Sequence, residues 1–122
     1  MVTQVTSFGR SGLYDWLIQR VSAVVLAAYF IFMTGYIWCN PDMSYEQWKH
    51  LFEHSAIRVF SLLALIALGA HAWIGMWSVL TDYVTERLMG SKGTFLRITL
   101  QMICGVVMAS YFLWGIEILW GL

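Results

Sequence analysis

Residues 59–83 read "VFSLLALIALGAHAWIGMWSVLTDY", and from Val59 to Thr81 they contain no Asp, Glu, Lys or Arg. At 1.5 Å of rise per residue, about 20 apolar residues in a helix cross a hydrocarbon core about 30 Å thick. The runs Val21 to Cys39 and Ile98 to Ile116 are uncharged in the same way. These runs predict an all-α integral membrane protein with three transmembrane helices, over about residues 17–39, 58–82 and 95–119, in a single domain covering 1–122. Composition agrees: of 122 residues, 60% are hydrophobic and 11% charged, too apolar a mixture for a soluble domain of this size to bury.

The first run is expected to stay in the mature chain. It is long, it follows a segment carrying Asp15 as well as Arg10 and Arg20, and no small-x-small cleavage site comes after it. Basic residues of short loops stay on the cytoplasmic side. Arg10, Arg20, Arg87, Lys92 and Arg97 lie in the amino-terminal segment and second loop, against Lys49 and Arg58 in the first loop. The amino terminus is therefore expected in the cytoplasm and the carboxyl terminus outside. Tyr14, Trp16 and Tyr83 at one interface, and Tyr36, Trp38, Trp114 and Trp120 at the other, suit aromatic belts. A formal net charge of zero gives no indication of a nucleic acid partner.

The first loop, "CNPDMSYEQWKHLFEHSAIR", opens on an Asn-Pro turn and places Gln47 three residues after Ser44, the spacing of a capping box. Tyr45, Trp48, Leu51 and Phe52 follow at helical spacing, which predicts a short helix lying in the outer interface. His50 and His54, four apart, are compatible with a shared metal, but two exposed ligands describe a solvated helix face better. The second loop, with Gly90 and Gly93 around Ser91 and Lys92, reads as a flexible connector over Thr85 to Arg97. Cys39 and Cys104 belong at different membrane depths and are read as packing residues rather than a disulfide.

His71 falls near the middle of the second helix, where an ionisable side chain is costly unless something satisfies it. Steps of four, four, three and four residues join Ala67, His71, Gly75, Ser78 and Asp82 into one small, polar face. Two readings of His71 stay open at this point. One is an interhelical hydrogen bond to a Ser, a Thr or a backbone carbonyl. The other is axial ligation of a haem iron, since Ala67 and Gly75 leave a notch through which a flat macrocycle can approach the imidazole. His50 and His54 lie at another depth, so a second axial histidine would come from another chain. Asp82 and Tyr83 likewise read either as helix-end punctuation or as hydrogen-bonding groups for a quinone, the phenol donating to a carbonyl and the carboxylate passing protons.

The segment "LLALIALGAHAWIGMWSVLTDYV", residues 62–84, closely resembles the second helix of the D-type hydrophobic membrane anchor of bacterial succinate dehydrogenase, the succinate:ubiquinone oxidoreductase of respiratory complex II. "GRSGLYDWLIQR", residues 9–20, is similar to that family's amino-terminal entry. The resemblance covers nearly the whole chain. It implies that His71 ligates haem b, with the other axial histidine on a C-type cytochrome b anchor subunit. It further implies that Tyr83 hydrogen-bonds ubiquinone, that Asp82 is the acidic neighbour of that site, and that Arg20 stands near the haem propionates and quinone. A positive-inside charge is the plain alternative for Arg20. Partners implied are the C-type subunit, an iron–sulfur subunit, a flavoprotein subunit and membrane lipid, in a bacterial inner membrane. The connector 85–97 is longer than the resemblance implies.

The chain carries neither a flavin-binding Gly motif nor ferredoxin-like Cys spacing, so its electrons are expected from other chains and it catalyses nothing alone. Two alternatives have the same three helices: a fumarate reductase anchor, and a small holin-like or structural membrane protein without a cofactor. The latter leaves the Ala67, His71, Gly75 notch and Asp82 unexplained.

Overall fold

In hydrocarbon each backbone N–H and C=O must be satisfied within its own segment, so apolar runs of this length become helices. The computed structural model describes residues 12–121. Its long helices are α1 (Gly12–Cys39), α3 (Ser55–Tyr83) and α5 (Lys92–Trp120), joined through the short α2 (Tyr45–Glu53) and the single turn α4 (Glu86–Met89). No strand occurs among the described residues. The three long helices are each long and apolar enough to cross a membrane.

Each long helix begins earlier than its apolar run suggests: at Gly12 rather than 17, Ser55 rather than 58, and Lys92 rather than 95. Charged first turns remain helical because they can project beyond the hydrocarbon. Asp15 lies in the first turn of α1, where a carboxylate complements the helix dipole. Arg58, in the first turns of α3, donates from Nε to the Phe52 carbonyl at 2.8 Å and so ties the end of α2 to the start of α3. Arg10 lies outside the described residues.

The capping box forms as the spacing predicts: Ser44 Oγ accepts from the Gln47 N–H at 3.2 Å, and Gln47 Oε1 accepts from the Ser44 N–H at 2.9 Å. Helix α2 then buries Leu51 and sets the Trp48 and Phe52 rings edge to face with centroids 5.0 Å apart. The second connector is less open than its glycines suggest. α4 occupies part of it, Gly90 takes a left-handed φ of 74°, and α5 resumes at Lys92, with Gly93 buried inside the helix. A left-handed glycine ends one helix and lets the chain redirect at once, so the flexible stretch expected over 85–97 is mostly helix, with a tight turn at Gly90 and Ser91.

Helix α3 packs against both α1 and α5, while those two barely meet. Its buried seam is Ser61, Ala64, Ala67, Ile74 and Leu80. Against α1 the packing is antiparallel and includes a hydroxyl pair, Tyr29 to Ser61 at 2.6 Å, with Phe60 edge-on to Tyr29 at 5.0 Å between centroids. Against α5 it relies on absent side chains. A Cβ on Gly105 would stand 3.5 Å from the Trp73 ring, and one on Gly115 would meet a Leu65 methyl at 2.7 Å. Small residues let helix backbones approach where lipid offers no hydrophobic drive toward association. Cys39 and Cys104 are not joined in a disulfide; Cys104 is half-buried, whereas Cys39 is exposed and does not pack within this chain.

Candidate functional site

The antiparallel register of α1 and α3 sets Ser22 opposite His71. Ser22 is 4% exposed, which makes it one of the two buried polar residues among those described; Ser61 is the other. Its Oγ lies 3.1 Å from the Gln19 carbonyl, one turn back along α1, and 3.0 Å from His71 Nδ1. A hydroxyl carries a single proton, and a carbonyl can only accept. With the Ser22 proton directed at Gln19, Oγ is left to accept from His71 Nδ1–H, and Nε2 is the ring nitrogen with no hydrogen-bond partner among the described residues.

The first reading of His71, an interhelical bond to a serine, is thus present in the fold. It does not compete with the second, because the two readings use different nitrogens. An imidazole whose Nδ1–H is held by an oxygen is how proteins present Nε2 to a metal.

The face drawn through Ala67, His71, Gly75, Ser78 and Asp82 is only partly continuous. Ala67 is buried and His71 and Gly75 are half-buried, but Ser78 and Asp82 are exposed, whereas Ile74 and Leu80 turn inward. A contact seam between long helices keeps a period close to 3.5 residues, so a stripe with wider steps rotates out of it. Nor is the Gly75 end of the notch empty. A Cβ there would lie 3.7 Å from Gln19 Nε2, so the glycine accommodates helix α1. Gln19 Oε1 is buried without a hydrogen-bond partner among the described residues.

Arg20 is two residues from Ser22 and therefore close to the His71 level along the helix axis. It is exposed, and its guanidinium carbon lies 5.0 Å from the centroid of the Trp16 ring. That cation–π contact is compatible with an interfacial charge and with a group reaching for an anion. Asp82 and Tyr83 form a separate location at the end of α3, about 16 to 18 Å from His71 by the helical rise. Both are exposed, Tyr83 by 67%. Thr81 beside them turns inward to its own helix, its hydroxyl donating to the Trp77 carbonyl at 2.8 Å with the Ser78 carbonyl also near, at 3.1 Å. The fold therefore gathers Gln19, Ser22, His71 and Gly75, with Arg20 nearby, and leaves Asp82 and Tyr83 as a second, outward-facing pair.

Sequence reasoning predicted a hydroxyl or carbonyl partner for His71 without naming it. Ser22 and Gln19 are the residues it missed. They were detectable as polar side chains near the start of an apolar run, but only the register of α1 against α3 selects them. His50 and His54 face each other with ring centroids 5.1 Å apart, and Glu53 Oε2 lies 3.3 Å from His50 Nδ1. No group of three or more His, Cys, Asp or Glu gathers to hold a metal among the described residues, and both histidines are exposed.

The family described as "Succinate dehydrogenase/Fumarate reductase transmembrane subunit" matches residues 3–114. The succinate dehydrogenase hydrophobic membrane anchor subunit of Coxiella burnetii is 35% identical over 111 residues, covering 91% of this chain and 90% of that protein. The subunit of the same name in Rickettsia felis is 27% identical over 111 residues, with 88% of each chain covered. That of Rickettsia prowazekii is 26% identical over 108 residues, covering 87% of this chain and 82% of the relative.

Proposed function

Because the chain belongs to the succinate dehydrogenase/fumarate reductase transmembrane subunit family, we propose that it anchors the succinate-oxidising subunits to a bacterial inner membrane and helps deliver their electrons to ubiquinone. In this reading His71 is one axial ligand of a b-type haem shared with a C-type anchor subunit, and Tyr83 with Asp82 forms part of the ubiquinone site. The observation that carries it is the state of His71. Its Nδ1 lies 3.0 Å from Ser22 Oγ and no hydrogen-bond partner among the described residues engages its Nε2, which leaves that nitrogen available to a metal on an otherwise apolar helix. A b-type haem, when bound, supplies a one-electron centre within the membrane.

The remaining work belongs to this chain's own side chains. Ubiquinone has an apolar ring and two carbonyl oxygens, and its reduction takes up two electrons and two protons. The Tyr83 hydroxyl donates a hydrogen bond to one carbonyl and fixes the ring. Asp82, adjacent and exposed, relays protons from cytoplasmic water. Arg20, at the His71 level, offers a guanidinium to a propionate or to the quinone head group.

Deleting the chain should test the anchor role. Succinate oxidation with an artificial dye should persist in the soluble fraction, while membrane-bound succinate-to-ubiquinone activity disappears. Undiminished quinone reduction at the membrane without this chain would contradict the proposal. Orientation is checked with reporters that are active only in the periplasm. A fusion after residue 122 should be active, and an insertion between Gly90 and Gly93 inactive. The reverse pattern would move Asp82 and Tyr83 to the face opposite a cytoplasmic electron donor.

A further inference from the structure

An imidazole on a membrane helix can rotate about its χ angles and carry its proton on either nitrogen, so a ligand role for His71 requires that something choose. Only the oxygen of Ser22 is within hydrogen-bond distance of His71 Nδ1 among the described residues. That oxygen also stands 3.1 Å from the Gln19 carbonyl, which can only accept, so a Ser22 proton directed there leaves Oγ as the acceptor for Nδ1–H. The serine is buried to 4% exposure, and Gly75, one turn from His71, lets the Gln19 segment of α1 lie close against α3. The result is a directional chain: His71 Nδ1–H to Ser22 Oγ, and Ser22 O–H to the Gln19 carbonyl.

We propose that Ser22 is the positioning residue of His71, holding the ring in the tautomer that exposes Nε2 and strengthening that nitrogen as a donor to iron. The proposal rests on the haem reading above. An oxygen accepting from Nδ1–H leaves more electron density on the ligating nitrogen, which favours the ferric over the ferrous state. Removing the acceptor therefore shifts the haem toward reduction and frees the imidazole plane to turn.

The experiment uses the assembled four-subunit complex, with Ser22→Ala, Ser22→Cys and Ser22→Thr beside the wild type. Poised at the potential where the wild-type haem is half reduced, Ser22→Ala should show a ferrous-to-ferric ratio raised about two- to tenfold, the range of one ordinary hydrogen bond. Its low-spin electron paramagnetic resonance signal should move as well. Ser22→Thr keeps the hydroxyl, which on a helix can still bond the carbonyl one turn back, and should restore both readings. Ser22→Cys is close in size to serine but a poor acceptor, so it should behave as the alanine does; it carries the test if alanine lowers the yield of complex.

Unmoved ratios and signals in both alanine and cysteine variants would overturn the role of Ser22 and leave it a packing residue. So would a threonine variant as shifted as the alanine. A wild-type complex with no reducible b-type haem would overturn the underlying haem reading instead, before Ser22 comes into question.

Discussion

Replacing His71 by leucine should reduce the b-type haem of the purified complex by about tenfold or more, since losing a supporting partner alone typically costs ten- to a hundredfold in metal affinity and here the ligand itself is gone. The fold should survive the change. Ser22 keeps its bond to the Gln19 carbonyl, and leucine occupies the half-buried site without stranding a polar group. An interhelical hydrogen bond in a membrane is worth only about 0.6 to 2 kcal/mol. The flavoprotein and iron–sulfur subunits should therefore still co-purify with this chain, which separates haem loss from failed assembly. A leucine variant with full haem content and an unchanged low-spin signal would show that iron takes its ligands elsewhere.

Tyr83→Phe should lower succinate-to-ubiquinone turnover by roughly five- to a hundredfold, the consequence of losing a hydrogen bond worth about 1 to 3 kcal/mol when its partner is left unsatisfied. The substitution removes one hydroxyl and keeps the ring, so a tyrosine serving only as an interfacial anchor would be nearly unaffected. Tyr83 is 67% exposed within this chain, so nothing in its own fold depends on that hydroxyl. Reduction of a dye that accepts electrons upstream in the soluble subunits should remain near wild type, and haem content with it. Wild-type rates with both acceptors, together with unchanged inhibitor binding at the quinone site, would return Tyr83 to the aromatic belt.

How far these residues were legible in sequence differs with the physics behind each. The three membrane helices follow from a solvent that forbids unsatisfied backbone, and the uncharged runs find them without any tertiary information. Their carboxyl ends agree to within a residue, but each helix starts earlier than its apolar run, because charge marks where hydrocarbon stops whereas a helix extends beyond it through Asp15 or Arg58. The Ser44 and Gln47 box was readable because both partners lie within one turn. The turn at Gly90 was not, since a glycine signals freedom of conformation and only the fold shows that a left-handed φ was used to start α5 directly.

At the site, His71 stands out as an imidazole in a greasy run, but its partner lies 49 positions earlier in the chain, and only the pairing of helices selects Ser22. The small-residue stripe misled in one respect. Gly75 suggested room for a ligand, and the fold places the Gln19 side chain of α1 beside it. Ile74 and Leu80, two large residues off the Ala67, His71, Gly75, Ser78 and Asp82 stripe, are buried in the helix seam. Asp82 and Tyr83 gain nothing from the fold of this chain alone, because they project from the end of α3. Their significance comes through the family resemblance.

The proposal has two halves: His71 gives Nε2 to a haem iron, and Ser22 holds Nδ1. A cryo-electron microscopy map of the intact complex examines both halves of it at once. That map should show a macrocycle whose iron lies within bonding distance of His71 Nε2 and of a histidine from the partner anchor, with Ser22 Oγ still at hydrogen-bond distance from Nδ1. A map in which no macrocycle abuts α3, or in which the iron is held by other residues while His71 touches only Ser22 and lipid, would contradict it.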